Sequence, residues 1–126
     1  MYRKLDSKRH RALFDYVNSK GVNEIKKWFE GLEKVHRIRL NQKLDRLEQV
    51  GPDLLPQLLS GPIFDHIYKL RVTSQNVQLR PMLCKGPIDN DIELTLLLGA
   101  FEVGDQLRPK DAPQRAARNR EAIIRD

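Results

Sequence analysis

The chain has 126 residues, of which 40% are hydrophobic and 32% charged, and this balance predicts a globular protein with a single domain, residues 1–126. No apolar run approaches the ~18–20 residues of a membrane span, and the N-terminus lacks an apolar signal segment, which favours a cytoplasmic protein without membrane contact. The net charge of +6 favours an anionic partner, and the single cysteine, Cys84, excludes an internal disulfide and is expected to be a packed thiol.

The N-terminal half predicts a short strand followed by a helical hairpin. Residues 1–11 form a basic arm, and residues 12–17 are apolar and aromatic enough for a first strand. From Asn23, an expected N-cap, apolar residues recur at helical spacing over residues 23–50. We expect this hairpin to cover one face of a sheet, with Trp28 in the core. The buried stripe of its second helix is predicted to contain Val35, Leu40, Leu44 and Leu47.

The segment from Ile63 to Glu102 alternates between apolar and polar residues with the period of a β-strand. A proline-containing connector, residues 52–62, precedes it, and Pro81 predicts a local irregularity because proline cannot donate to a sheet. The simplest assembly is an antiparallel meander with one face sealed by helices and the other open to water. The three predicted strands are residues 63–72, 77–83 and 91–99.

Three cations fall on the predicted open face, namely Lys69, Arg71 and Arg80. Such a cluster is suited to phosphate groups, because planar guanidinium groups bind phosphate oxygens in pairs. On an open face, truncation of Arg71 or Arg80 would change stability by less than ~0.5 kcal/mol. The alternative is that these side chains form a solvated polar face without a ligand.

The C-terminal part predicts a last helix that begins at Asp111-Ala112-Pro113, with proline at its first position. One side of this helix is apolar and the other is basic. The predicted fold class is therefore α+β, in which an N-terminal strand and a helical hairpin pack on an antiparallel sheet and a C-terminal helix follows.

Four short motifs resemble those of a known family. Tyr68-Lys69-Leu70-Arg71 resembles a "[YW]-x-L-R" strand, and Gln78-Leu79-Arg80 resembles a "Y-R-x-x-Y" strand. The run from Leu96 to Phe101 resembles an "L-L-x-x-F" strand, and residues 113–120 resemble a "P-x-x-E-x-x-x-A" helix. With the order of elements, these motifs resemble the RelE/HigB/ParE toxins of bacterial type II toxin–antitoxin systems, in particular the phage-derived HigB-like branch.

The resemblance implies a RelE-like fold and a metal-independent endoribonuclease that cleaves mRNA on the ribosome. It also implies a helix-turn-helix antitoxin as the partner, in a hetero-oligomer. A non-catalytic protein, or a ParE-like toxin that acts on DNA gyrase, is the alternative. The family carries Lys-Lys after the phenylalanine of its last strand, where this chain has Glu102-Val103. The expected catalytic residues are Lys69, Arg71 and Arg80, and the expected RNA-binding residues are Arg108, Lys110, Arg115 and Arg118.

Lys69, which is flanked by arginines, is the first candidate for a catalytic base, and His66 and His36 are the alternatives. His66 is the histidine closest to the predicted site, although strict alternation places it on the apolar parity, which is typical of a core or rim histidine. His36 is expected to be solvated on the hairpin, and His10 lies in the basic arm. The histidines and Cys84 lack the spacing of metal ligands, so we expect no metal and no other cofactor.

Overall fold

The computed structural model describes residues 12–50, 59–87 and 93–125. Within these ranges the chain forms nine strands and three helices. In chain order they are β1 (Ala12–Asp15), α1 (Glu24–Glu30), α2 (Lys34–Val50), β2 (Leu59–Phe64), β3 (Ile67–Leu70), β4 (Val72–Ser74), β5 (Val77–Leu79), β6 (Met82–Lys85), β7 (Glu93–Leu98), β8 (Phe101–Val103), β9 (Gln106–Arg108) and α3 (Ala112–Arg125).

The strands form two sheets. The larger sheet has the order β1-β7-β6-β3-β2, and the smaller one has the order β4-β5-β8-β9. Every described pair is antiparallel except β1 with β7, which is parallel. The predicted α+β class and antiparallel sheet are confirmed, and the first strand, whose direction was not predicted, joins the sheet in parallel.

Three bent strands run through both sheets and form the predicted meander. Each consists of two consecutive elements, β3 with β4, β5 with β6, and β7 with β8. Backbone hydrogen bonds continue across the bends, from Leu70 N to Pro81 O at 3.0 Å and from Arg80 N to Ala100 O at 2.8 Å. The predicted irregularity at Pro81 is confirmed, since proline stands at one of the bends. The interruptions are Arg71, Arg80-Pro81 and Gly99-Ala100.

The helical hairpin covers one face of the sheets, as predicted. Asn23 caps α1, because its side chain accepts a hydrogen bond from Lys26 N at 2.9 Å. Leu40 is buried in the core, as predicted. Val35 is 38% exposed, and His36 occupies the position in the buried stripe that was predicted for Val35. Residues four apart share a helix face, so His36 and Leu40 point together into the core and Val35 does not.

The C-terminal helix covers the opposite face of the larger sheet. Ile67, Met82 and Leu97 are almost completely buried there. They pack against the small side chains of α3, Ala112, Ala116 and Ala117. The prediction that this face is open to water is therefore wrong over the larger sheet, where α3 contacts β7, β6, β3 and β2.

Two hairpin turns differ from the predicted layout. Asp65 and His66 form a turn, with φ values of 37° and 70°, that divides the predicted strand 63–72 into β2 and β3. Residues 59–62, predicted as connector, belong to β2, whereas residues 51–58 lie outside the described ranges. A second turn at Gly104, with a φ of 61°, joins β8 to β9, a strand that the sequence pattern did not indicate. None of the helices in the described ranges is long and apolar enough to cross a membrane.

Candidate functional site

The candidate site lies where the face covered by α3 continues onto the smaller sheet. Residues two apart on a strand share a face, so Lys69 follows buried Ile67 and Arg80 precedes buried Met82 on this side. On this face, the side chains therefore change from apolar to polar over two residues of the strand. The end of the hydrophobic core under α3 borders the polar side chains directly.

A carboxylate joins two of the predicted catalytic residues. The Oε1 atom of Glu102 accepts hydrogen bonds from Arg80 Nε at 2.8 Å and from Lys69 Nζ at 3.2 Å. Both are also ion pairs, in which the Lys69 and Glu102 side chains are about one-fifth exposed. The structure thus brings Lys69 and Arg80 together, as predicted. Their common partner, Glu102, was noted in the sequence only as a departure from the family motif.

Arg80 is buried, contrary to the prediction that it lies on an open face. It is 8% exposed, and its guanidinium group donates several internal hydrogen bonds besides the one to Glu102. Nη1 donates to Leu79 O at 2.9 Å and to Val72 O at 3.5 Å, and Nη2 donates to Gln78 Oε1 at 2.9 Å. The prediction that truncation of Arg80 is neutral for stability is therefore wrong, because buried acceptors would lose their donor.

A continuous set of side-chain hydrogen bonds extends this site across the strands. Thr73 Oγ1 donates to Gln78 Oε1 at 2.8 Å, and the same oxygen accepts the bond from Arg80. We call these five side chains, Thr73, Gln78, Arg80, Glu102 and Lys69, the polar cluster. Three of its members, Gln78, Arg80 and Glu102, line a groove of about 590 Å³. The polar cluster is thus accessible from one side.

Glu102 is held in its ionised form. Burial on its own would raise the pKa of Glu102, but the hydrogen bonds from Arg80 and Lys69, together with their charges, lower it below its ordinary value. Both cations bind Oε1, and within the described part of the chain Oε2 accepts no hydrogen bond. The groove therefore contains an ionised carboxylate oxygen that is able to accept a proton or a hydrogen bond.

Arg71, the third predicted catalytic residue, stands at the bend between β3 and β4. It is half-buried and, by alternation, on the same side of the strand as Lys69 and Thr73. It therefore lies on the face that carries the polar cluster.

The predicted RNA-binding residues lie elsewhere on the surface. Arg115 pairs with Asp111 at 3.1 Å, one helical turn before it. Arg118 lines a separate groove of about 510 Å³ beside Phe64, and this groove shares no lining residue with the groove at the polar cluster. The structure therefore does not gather the predicted basic residues into one pocket. All four are exposed, namely Arg108, Lys110, Arg115 and Arg118.

The histidines differ from their predicted positions. His66 is neither a core nor a rim residue, because it lies in the exposed turn between β2 and β3, with Nε2 3.9 Å from Asp65 Oδ1. His36, expected to be solvated, is buried, and its Nδ1 lies 2.7 Å from Ser74 Oγ. His36 therefore links α2 to the end of β4. His10 lies outside the described residues.

Cys84 is completely buried, which confirms the packed thiol. Burial raises the pKa of this thiol to about 11, although the neighbouring Arg120 acts in the opposite direction. A thiol with such a pKa is protonated at neutral pH and is a poor nucleophile. In the part of the chain that the structure describes, no group of three or more His, Cys, Asp or Glu side chains is arranged to hold a metal ion.

Comparison with protein-family models, with curated proteins and with solved structures gives no match for this chain. What can be inferred about function therefore comes from the polar cluster and its groove. The short sequence motifs described above add to it, because Lys69, Gln78 and Arg80 belong both to those motifs and to the polar cluster.

Proposed function

We propose that this protein is a toxin of the type II toxin–antitoxin class, an endoribonuclease that cleaves mRNA and inhibits translation in the cytoplasm. The observation that carries the proposal is the convergence of Lys69 and Arg80 on one carboxylate oxygen of Glu102 beside an open groove. These groups suit the attack of a ribose 2′-hydroxyl on the adjacent phosphate. A carboxylate can take the hydroxyl proton, and two cations can stabilise the negative charge that builds up on the phosphate. Three of the four motifs that resemble the RelE/HigB/ParE family lie on the strands of this region, and the fourth lies on α3.

In the proposed reaction, Glu102 is the general base. Its Oε2 atom takes the proton from the ribose 2′-hydroxyl, and the resulting O2′ attacks the adjacent phosphorus. The bond between phosphorus and the 5′-oxygen then breaks, which leaves a 2′,3′-cyclic phosphate on one fragment. The departing 5′-oxygen takes a proton from the Lys69 ammonium group or from water. Glu102 thus replaces Lys69, His66 and His36 as the candidate base, because it is ionised and lines the groove beside both cations.

The cations have the complementary task of stabilising negative charge. As the phosphate gains charge, Lys69 and Arg80 exchange part of their interaction with Glu102 for one with the phosphate oxygens. One well-placed donor to such a charge is worth about 3–4 kcal/mol of the barrier. Arg71 adds positive charge on the same face. The exposed cations Arg108, Lys110, Arg115 and Arg118 are proposed to bind the RNA backbone outside the groove.

Cleavage of a defined mRNA tests this proposal. The purified protein is incubated with the transcript alone and with ribosomes that carry it, and the new ends are mapped by primer extension. We expect cuts with the native protein and a rate at least about 100-fold lower with Glu102→Gln, the typical effect of losing a general base. Asp105→Asn removes an exposed carboxylate from the neighbouring β8–β9 turn and should leave the rate unchanged.

Folding of the Glu102→Gln protein is checked by circular dichroism before its rate is interpreted. A correctly folded Glu102→Gln protein that cuts as fast as the native one would exclude Glu102 as the base. Intact mRNA with the native protein, in both the free and the ribosome-bound format, would exclude the endoribonuclease.

A second candidate function is toxicity by binding alone, to DNA gyrase or to nucleic acid. The observation in its favour is the internal use of Arg80, whose bonds to Leu79, Val72 and Gln78 leave it 8% exposed. Because the donors of this guanidinium group bind acceptors within the protein, fewer of them are available to a ligand. Inhibition of DNA supercoiling by gyrase with intact mRNA would favour this function over the first.

A toxin of this class requires an antitoxin, and we propose a small helix-turn-helix protein encoded in the adjacent reading frame. The net charge of +6 favours an acidic or amphipathic contact segment in that partner, and the two proteins would form a hetero-oligomer. The polar face of the smaller sheet and the basic side of α3 are the proposed contact regions. Co-expression of the two proteins should restore growth and yield a complex that purifies as one species.

A further inference from the structure

The side-chain amide of Gln78 has a fixed orientation. Its Oε1 atom accepts hydrogen bonds from Thr73 Oγ1 at 2.8 Å and from Arg80 Nη2 at 2.9 Å. A guanidinium group only donates hydrogen bonds, so the amide atom that faces Arg80 must be the oxygen. This contact excludes the flipped amide. The position of the amide nitrogen is therefore determined by the rest of the polar cluster.

The amide nitrogen of Gln78 is available as a donor. In the described part of the chain, Nε2 makes no hydrogen bond, and the side chain is half-buried in the wall of the groove. An amide nitrogen carries two hydrogens that need acceptors. Since both bonds of Gln78 within the protein use its oxygen, a ligand in the groove would meet a donor that is already oriented.

Gln78 stands directly beside the proposed base. It is the register partner of Glu102 in the antiparallel pair of β5 and β8. Side chains of directly opposed residues lie on the same face, with Cβ atoms about 4.5–5.5 Å apart. The groove therefore presents the donor of Gln78 next to the free acceptor Oε2 of Glu102. A ligand that fits this pair offers an acceptor close to a hydroxyl or amine.

We infer that Gln78 is a substrate-positioning residue that donates a hydrogen bond to the minor-groove edge of the nucleobase whose ribose is attacked. This inference rests on the proposed function. The 2′-hydroxyl lies on the same edge of a nucleotide as the base acceptors of the minor groove, so a ribose held at Glu102 brings such an acceptor towards Gln78. Every base has one there, O2 in pyrimidines and N3 in adenine and guanine. The contact positions the nucleotide without selecting a base.

A substrate lacking the acceptor tests the inference. The probe is a short mRNA with adenosines in the cut region, and it is compared with the same RNA carrying 3-deazaadenosine on the 5′ side of the cut, in which N3 becomes C–H. With the native protein, the deaza substitution should lower kcat/KM by about 3- to 10-fold, as expected for one neutral hydrogen bond. With Gln78→Glu, which retains an oxygen for Thr73 and Arg80 but loses the donor, the two RNAs should be cut equally well.

The matched control is Gln106→Glu, which adds the same charge at an exposed position of β9 in the same sheet. It should keep the native ratio between the two RNAs. Because each variant is compared with itself on two substrates, a general loss of activity or stability cancels. Equal ratios in the native and Gln78→Glu proteins would overturn the inference while leaving the proposed endoribonuclease intact. An uncut RNA with the native protein would overturn both.

Discussion

The indole ring of Trp28 lies directly on the backbone of Gly99. A Cβ atom at Gly99 would come 2.0 Å from Cδ2 of the indole, so only glycine permits this approach. The same indole contacts Phe101, with ring centroids 5.6 Å apart and planes tilted by 58°. Gly99 lies at the bend between β7 and β8. The contact therefore seats α1 on the strand that leads to Glu102.

Gly99→Ala should destabilise the protein by about 1–3 kcal/mol, because the added methyl group overlaps the indole and forces a backbone shift. The matched control is Gly31→Ala, whose Cβ would meet Lys27 O and Trp28 O at 3.5 Å, an ordinary contact. The control should change stability by less than about 0.5 kcal/mol. Urea unfolding, followed by the fluorescence of the single tryptophan, measures both. Equal unfolding midpoints for Gly99→Ala and Gly31→Ala would contradict the close contact between Trp28 and Gly99.

Arg80→Ala should lower the free energy of unfolding by about 2–4 kcal/mol, since it leaves buried carbonyl groups without their donor and removes one of the two cations paired with Glu102. Lys69→Ala removes a single bond from a side chain that is 22% exposed and should cost only about 0.5–1.5 kcal/mol. Denaturant unfolding of the two proteins gives the comparison. If the lysine variant proved the less stable of the two, the internal hydrogen bonds of buried Arg80 would contribute less to stability than its contacts indicate.

The stability contributed by Glu102 should depend on pH. Its pKa is lower in the folded protein than its ordinary value of 4.5, so the unfolded chain binds the proton more readily. The contribution is therefore complete above about pH 4.5 and is lost as the pH falls through the folded pKa. The stability difference between the native and Glu102→Gln proteins, measured by urea unfolding, should shrink over that range. A difference that grows towards acid would reverse the assigned sign.

Ser74→Ala should destabilise by about 1–3 kcal/mol, because it leaves Nδ1 of buried His36 without the hydroxyl that lies 2.7 Å away. Combining it with His36→Leu should recover much of the loss, since neither polar group then remains. His66→Ala, in the exposed turn, serves as the control and should change stability by less than about 0.5 kcal/mol. Thermal melts of the three proteins test this. A double variant as unstable as Ser74→Ala would contradict the pairing.

Binding of single-stranded RNA should weaken with salt, and the dependence reports the number of phosphate contacts. Each contact adds about 0.7 to the slope of log K against log salt. Lys110→Ala and Arg118→Ala should each flatten the slope by about that amount if these exposed cations bind the backbone. Lys26→Ala, on α1 at the opposite face, should leave it unchanged. Fluorescence anisotropy at increasing salt measures all three.

The sequence predicted the fold well where its periodicity was unambiguous. The helical hairpin, the meander, the irregularity at Pro81 and the C-terminal helix are all present. Alternation also placed Lys69 and Arg80 on a common face, and they meet at Glu102. The turn at Asp65-His66 was not predicted because it lacks the glycine that usually occupies the second position of a two-residue hairpin turn. The turn also reverses the phase of the alternation, since Phe64 and Ile67 are directly paired and therefore share a face.

Glu102 was missed for a different reason. The register between β6 and β7 shifts between the pairs Met82–Leu98 and Leu83–Leu96, so β7 contains one extra residue. This bulge reverses the alternation, and it turns Phe101 towards the hairpin and Glu102 towards Arg80. Within a run of three leucines every residue suits either face, so no local signal marks the bulge. Strict alternation from Leu96 would instead have placed Glu102 in the core.

The bent strands have a consequence for how the molecule opens. Because the same three segments contribute strands to both sheets, one sheet cannot lose its order while the other keeps its full complement of strands. The two sheets should therefore behave as one cooperative unit. In native-state hydrogen exchange, the slowest amides of β5 and β6 should report the same opening free energy, equal to that of global unfolding. Access to the groove would then be limited by the side chains that line it and not by separation of the sheets.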